Sequence, residues 1–277
     1  YLLYNNKSNF YDLKNLNNDS LIIPVQPMWK EKSDLIGYYN EFTGKFNETT
    51  ILKTVYEALN SNKIFIIVLD EMNIARVEYY FSEFLSLLEL PYSTSRELVV
   101  ASSGAYGDPK KMNHGKILLP NNIWFLGTAN NDDSTFAISD KVYDRAMIIN
   151  LNKKTDKFDV EENVGEIDFS VDKFQELITQ AQNEYSLSQE LMDKLDEFDE
   201  YLIDKFQITF GNRIYRQFKR YVPVFLACGG SELQALDDLI CKKLLRKLEG
   251  KETIRTPRCS VIGSLLDYIC HASSKYF

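Results

Sequence analysis

Six apolar residues in an unbroken run, Ile64-Phe65-Ile66-Ile67-Val68-Leu69, end abruptly in two acids, Asp70 and Glu71. A strand with one wet face alternates apolar and polar side chains. A run without alternation has both faces covered, as an inner strand of a parallel α/β sheet does. The run is also far below the roughly 20 apolar residues that cross a bilayer. It predicts a core strand whose C-terminal end opens on paired carboxylates. In an open parallel sheet, that end of the strands borders the ligand crevice.

Three other segments have strand character: Leu21-Ile22-Ile23-Pro24-Val25, Ile123-Trp124-Phe125-Leu126-Gly127 and Met147-Ile148-Ile149-Asn150-Leu151. Helical patterns lie between them, over 50–59 and 75–88. In the latter Val77, Phe81, Phe84, Leu85 and Leu88 share one face. Strands alternating with helices imply an α/β fold with a parallel sheet. The Ser-, Gly- and Lys-rich stretch at about 90–120 is expected to be a β-hairpin insertion, with strands near Val99-Val100 and Ile117-Leu118-Leu119. Past residue 155 the pattern becomes almost wholly helical. Capping-box spacings stand at Ser186-x-x-Gln189 and Ser231-x-x-Gln234, a stop signal at Gly250, and one more short helix is expected over 261–269. The chain therefore divides into an α/β core over 1–155, a helical domain over 156–250 and a C-terminal helical extension over 251–277.

Composition narrows the function classes. Across 277 residues, 44% hydrophobic side chains supply enough apolar surface to offset chain entropy, which excludes wholesale disorder. A net charge of −8 argues against extensive contact with a phosphate backbone. Cys228, Cys241, Cys259 and Cys270 form no Cys-x-x-Cys pair, and His114 and His271 are the only histidines, which argues against structural zinc and predicts reduced, mostly buried thiols. The first residues carry neither a basic start nor a long apolar stretch, so the expected location is cytoplasmic, with no membrane partner.

Asp70 and Glu71 invite a chemical reading. A strand-end Asp can help hold Mg²⁺, and a neighbouring acid can deprotonate water for attack on a γ-phosphate. Asp also starts turns, and this strand alone leaves both readings open. The strand at 123–127 bears on the choice, because it runs through Thr128-Ala129 into Asn130. If the two strands are neighbours, an amide able to donate and accept stands beside the acids.

Together these segments resemble the AAA+ NTPases, in the branch of the McrB (5-methylcytosine restriction-type) proteins. Val68-Leu69-Asp70-Glu71-Met72-Asn73-Ile74-Ala75-Arg76 is similar to that branch's Walker B segment. Asn122-Ile123-Trp124-Phe125-Leu126-Gly127-Thr128-Ala129-Asn130 is similar to its sensor 1 strand. Val25-Gln26-Pro27-Met28-Trp29 and Asp34-Leu35-Ile36-Gly37-Tyr38-Tyr39-Asn40 resemble a segment common in these ATPases. The resemblance runs from about residue 22 to 250 and implies an AAA+ parallel sheet with flanking helices, followed by an all-α lid. It implies that Asp70 supports Mg²⁺ through water, that Glu71 is the catalytic base and that Asn130 is sensor 1. Asp133 falls on the acid of an Asn-x-x-Asp signature. The next position departs from that signature, with Ser134 where such sequences usually carry Arg, leaving water positioning and the choice of ATP or GTP open. Arg145 corresponds to an arginine finger and Arg213 to the sensor 2 arginine of the lid, with Arg216 as its competitor.

No run of the form Gly-x-x-x-x-Gly-Lys-[Ser/Thr], whose backbone N–H groups cradle phosphates, occurs, and the first 36 residues contain no glycine. The expectation is a chain that begins just after its phosphate loop and lacks the central strand leading into it. By itself it would then bind nucleotide weakly. The resemblance implies an NTPase motor working as a homo-oligomeric, hexameric ring with Mg²⁺ and ATP or GTP, coupled to DNA processing or phage defence with DNA or a nuclease as partner. Lys110, Lys111, His114 and Lys116 of the insertion would then face the pore. The alternative is a catalytically inactive scaffold of the same fold. A metal-dependent nuclease using Asp70, Glu71 and Asp133 is a third reading.

Overall fold

The computed structural model describes residues 19–91, 94–100, 112, 114–130, 132, 134–151, 170–207, 209 and 211–245. Its contacts fall into two units, Tyr1–Gln180 and Ala181–Phe277.

The first unit is α/β. Strand β1 (Ser20–Pro24) is followed by helix α1 (Lys32–Ile36), a hairpin of β2 (Gly37–Asn40) and β3 (Lys45–Glu48), and helix α2 (Thr50–Leu59). Strand β4 (Phe65–Asp70) then leads through a 3-10 turn at Met72–Ile74 into α3 (Val77–Tyr80) and α4 (Ser82–Leu88). Short strands β5 (Glu97–Val99) and β6 (Lys116–Leu118) precede β7 (Ile123–Gly127) and α5 (Asp140–Tyr143). The main sheet is parallel, in the order β1-β4-β7. Phe65, Ile67 and Leu69 on one face of β4 and Val68 on the other are buried, so both faces are covered, which is why its sequence shows no alternation. Register sets Asp70 opposite Pro24 and Leu69 opposite Gly127, so all three strands end at one edge.

Helix α2 starts where Thr49 accepts the Leu52 N–H, and buries Ile51, Leu52 and Val55 in the same core as Ile67 and Leu69. Each such side chain contributes about 1.5–3 kcal/mol. The single helix expected over 75–88 is broken at Phe81, whose φ of −110° and ψ of 3° leave the helical region. There Phe81 stacks on Phe84 at 5.1 Å, and both rings meet Phe125 edge-on. Ring packing outweighs helix continuity at that point. The β2–β3 hairpin was not expected as a hairpin. It turns where Asn40 Oδ1 accepts the Phe42 and Thr43 N–H groups. It requires Gly37, which has φ 110° and whose Cβ, were there one, would sit 2.0 Å from the Asn47 carbonyl oxygen.

The expected insertion is an antiparallel pair, β5 with β6, and its tip at 101–111 lies outside the described residues. Residues 147–151, expected as the last strand, are not a strand. Ile149 and Leu151 are 77% and 72% exposed. Among the described residues β7 pairs only with β4, and an extended segment with no neighbour cannot close a ladder.

Helix α6 (Val171–Glu184) begins in the first unit, where Phe174 packs on Trp124 at 4.8 Å and Asp172 accepts from Asn62. The second unit is helical, with α7 (Gln189–Phe206), α8 (Gly211–Ala227), α9 (Glu232–Ile240) and a π turn at Cys241–Leu245. Leu195, Leu202, Phe218, Val222 and Leu239 are among the buried side chains of its core. Ser231 and Gln234 form the capping box read from the sequence. The cap of α7 is Ser188 rather than Ser186. Its hydroxyl accepts the Leu191 N–H and also meets Glu232, a partner that Ser186 lacks. Cys228 and Cys241 are exposed, against the expectation of mostly buried thiols, because each sits at a helix end; Cys259 and Cys270 lie outside the described residues. No helix among the described residues is long and apolar enough to cross a membrane.

Candidate functional site

The ends of β4 and β7 are joined by one residue, Thr128. Its N–H donates to the Leu69 carbonyl at 3.0 Å and its own carbonyl accepts the Met72 N–H at 2.8 Å, extending the parallel ladder past both strands. Its hydroxyl accepts the Glu71 N–H at 2.8 Å and donates to Asp70 Oδ1 at 2.7 Å. A hydroxyl has one proton to give, and that proton is committed to the Asp70 carboxylate.

Glu71 is exposed and left-handed, with φ 51° and ψ 47°. For a residue other than Gly, Asn or Asp this costs about 1–2 kcal/mol. The Thr128 hydroxyl holds the strained peptide in place. The turn that follows is seated by Met72, whose sulfur occupies space that a Cβ on Gly127 would enter, at 2.0 Å. Tyr80, fully buried, donates to the Met72 carbonyl at 2.8 Å and anchors the same turn to α3.

On the β7 side Asn130 is exposed while its backbone is fixed: its carbonyl accepts from Asn73 Nδ2 at 2.7 Å and from Thr135 Oγ1 at 2.9 Å. Asp70, Glu71 and Asn130 thus leave adjacent strands at the same edge, tied together through Thr128 and Asn73. Asp133 lies outside the described residues. Ser134, which stands where the resemblance expects Arg, donates through both N–H and hydroxyl to Asp132 Oδ1. The Ser134 hydroxyl, chiefly, holds the Asp132 carboxyl below its ordinary range. The departure from the signature therefore builds a local turn instead of supplying a cation.

Arg145 follows α5 and is turned inward. Its Nε donates to Glu89 Oε2 at 2.8 Å, with 17% of the arginine side chain and 29% of the glutamate exposed. Arg213 belongs to the second unit, in the first turn of α8, and is half-buried; Arg216, exposed, donates to the Asn212 carbonyl. Of the insertion's basic residues, Lys116 pairs with Glu97 at 3.1 Å, while Lys110 and Lys111 lie outside the described residues. A cavity of about 320 Å³ lies against β1, lined by Ile23, Trp29, Asp34 and Thr49 among others, and includes none of the candidate residues.

Thr128 and Asn73 lie inside the two motifs, yet neither residue's type or spacing assigns it a role. The available signal was their polarity next to a buried strand end: Thr128 directly follows β7, and Asn73 lies three residues past β4. Among the described residues no three of His, Cys, Asp and Glu gather to hold a metal on their own. Asp70 suits a cation that keeps its waters, since one carboxylate oxygen is engaged by Thr128 and the other is left to accept from a hydration shell.

Residues 162–276 match the family model described as a domain of unknown function, DUF8727, which covers less than half of the chain. No curated protein matches. Among solved structures the chain is similar to a "putative ATPase" from Cytophaga hutchinsonii ATCC 33406, at 15% identity, over 90% of this chain and 77% of that one, with a TM-score of 0.45. Likeness at that level establishes neither a shared family nor a shared activity.

Proposed function

We propose that this chain is a nucleoside triphosphatase module of the AAA+ type, in the McrB-like branch. Glu71 is the base that takes a proton from the attacking water, Asp70 holds Mg²⁺ through the ion's water shell, and Asn130 orients the water and a γ-phosphate oxygen. Asp133 assists on the same loop. The observation that carries this reading is the shared edge: two acids closing β4, bridged to each other by the Thr128 hydroxyl at 2.8 and 2.7 Å, and an Asn following β7 whose carbonyl accepts from Asn73 at 2.7 Å. Preorganised donors and acceptors at one strand edge are what phosphoryl transfer demands, because its catalysis is largely positioning and charge stabilisation.

Mg²⁺ with ATP or GTP supplies the charge neutralisation and the leaving group. In this reading Arg145 acts in a neighbouring protomer's site, Arg213 is the sensor 2 arginine that binds nucleotide, and the protein works as a homo-oligomeric ring on DNA or with a nuclease. For Arg145 to serve in trans it must leave Glu89. A catalytically inactive scaffold of the same fold is the second reading.

The test uses the intact natural protein with MgATP and with MgGTP. Glu71→Gln is expected to lower hydrolysis by about 10²–10⁴-fold while nucleotide binding persists. Hydrolysis equal in wild type and variant removes Glu71 as the base and sinks this reading, and hydrolysis absent from both leaves the scaffold. Mg²⁺-dependent DNA cleavage without nucleotide supports the nuclease instead.

A further inference from the structure

Asn73 is 4% exposed, in the 3-10 turn immediately after Glu71. Every hydrogen bond of its side chain reaches the loop that carries Asn130. Nδ2 donates to the Asn130 carbonyl at 2.7 Å and to the Phe136 carbonyl at 3.1 Å. Its main-chain carbonyl accepts the Phe136 N–H at 2.8 Å. With two carbonyls facing one end of the amide, that end is the NH₂, and the assignment follows from the network. The other end, Oδ1, is buried without a partner, so the amide is held for its two donors even though its acceptor goes unmet.

Resting on the hydrolase reading above, we infer that Asn73 is the positioning residue of this site: it couples the turn bearing Glu71 to the loop bearing Asn130, so that base and sensor move as one body. Three features single it out. It is buried, whereas Glu71 and Asn130 are both exposed. The Ile74 N–H closes back on the Glu71 carbonyl at 3.0 Å, so a displacement of Asn73 is passed to Glu71 within a single turn. Its bond and that from Thr135 Oγ1 together occupy the Asn130 carbonyl, fixing that peptide plane while the side chain stays accessible. An exposed sensor on an unfixed backbone would sample many poses, and displacement of about 1 Å at such a site costs on the order of 10²-fold in rate.

Asn73→Asp tests this with almost no change in shape, because it turns a carboxylate oxygen toward two carbonyls and abolishes both donations. In the intact natural protein, with MgATP and MgGTP as probes, Asn73→Asp is expected to lower kcat about 10²-fold with KM within about threefold. Asn73→Ala, which removes both donors without adding a charge, is expected to give a loss of similar size. Hydrogen exchange is expected to rise in peptides covering 128–137 while those covering β4 keep wild-type protection. Glu71→Gln is run alongside. If Glu71→Gln is inactive but Asn73→Asp keeps wild-type kcat, the coupling is overturned and the hydrolase reading stands. If exchange at 128–137 is unchanged, the clamp is overturned whatever the rate. If Glu71→Gln is as active as wild type, or no form hydrolyses either nucleotide, both fall together.

Discussion

The Glu71 N–H donates to the hydroxyl of Thr128 across 2.8 Å, and the same hydroxyl donates to Asp70 Oδ1 across 2.7 Å. One side chain just past β7 therefore sets the backbone of one acid and the carboxylate of the other. Thr128→Val keeps the shape and deletes both bonds. We expect it to cost about 1 kcal/mol of stability, since the exposed groups regain water, and to lower nucleotide hydrolysis at least tenfold. Thr128→Ser should stay within threefold of wild type in urea unfolding and steady-state assays. Equal losses in the two variants would count against the hydroxyl.

Strain at Glu71 gives an independent handle. Its left-handed backbone carries no packing contribution to lose, because the residue is exposed. Asn tolerates that region, so Glu71→Asn is expected to raise unfolding free energy by about 0.5–1 kcal/mol while removing the base. Chemical denaturation shows the gain as a higher midpoint with an unchanged slope. A destabilised Glu71→Asn variant would contradict the strain.

Arg145 and Glu89 form a mostly buried pair at 2.8 Å. A double-mutant cycle with Arg145→Ala and Glu89→Ala should give a coupling of about 1–2 kcal/mol, each single change costing more than its share of the double. If Arg145 works in trans, Glu89→Gln frees it and raises hydrolysis at low protein concentration. Arg145→Ala lowers hydrolysis at every concentration.

Tyr80 makes alkaline stability informative. Burial, and then the negative charge of Glu78, push its hydroxyl well above the ordinary tyrosine value of about 10. A pKa raised by folding means the stabilisation is fully present below about pH 10 and is lost as pH rises beyond it. Tyr80→Phe should cost about 1 kcal/mol at pH 7, from the bond to the Met72 carbonyl, and should flatten the fall above pH 10. Urea unfolding at pH 7 and pH 11 measures both. Tyr56, raised in the same direction by burial and Glu48, leaves a residual slope in the variant.

The inner strand, β7 and helix α2 were legible because each is a local pattern with one cause: which faces are covered. The run 64–69 predicted β4 to within one residue, and β7 and α2 fell where the sequence put them. Ser231 and Gln234 were legible for the same reason, since a capping box closes within one turn. Ser186 and Ser188 both precede α7; Ser188 is the cap, and Glu232, 44 positions away, accepts its N–H as well. The break at Phe81 and the failure of 147–151 to form a strand depend likewise on what lies alongside, the rings of Phe84 and Phe125 in one case and, in the other, a β7 that among the described residues pairs only with β4.

By itself, then, the sequence determined a parallel α/β core with two acids at a strand end, because hydrophobic periodicity records burial residue by residue. Only the tertiary structure decided that β4 and β7 are neighbours, that Thr128 and Asn73 tie Asp70, Glu71 and Asn130 into one edge, and that Arg145 folds onto Glu89. Those bonds join residues more than fifty positions apart, and a hydrogen bond between distant polar groups leaves no period in a sequence.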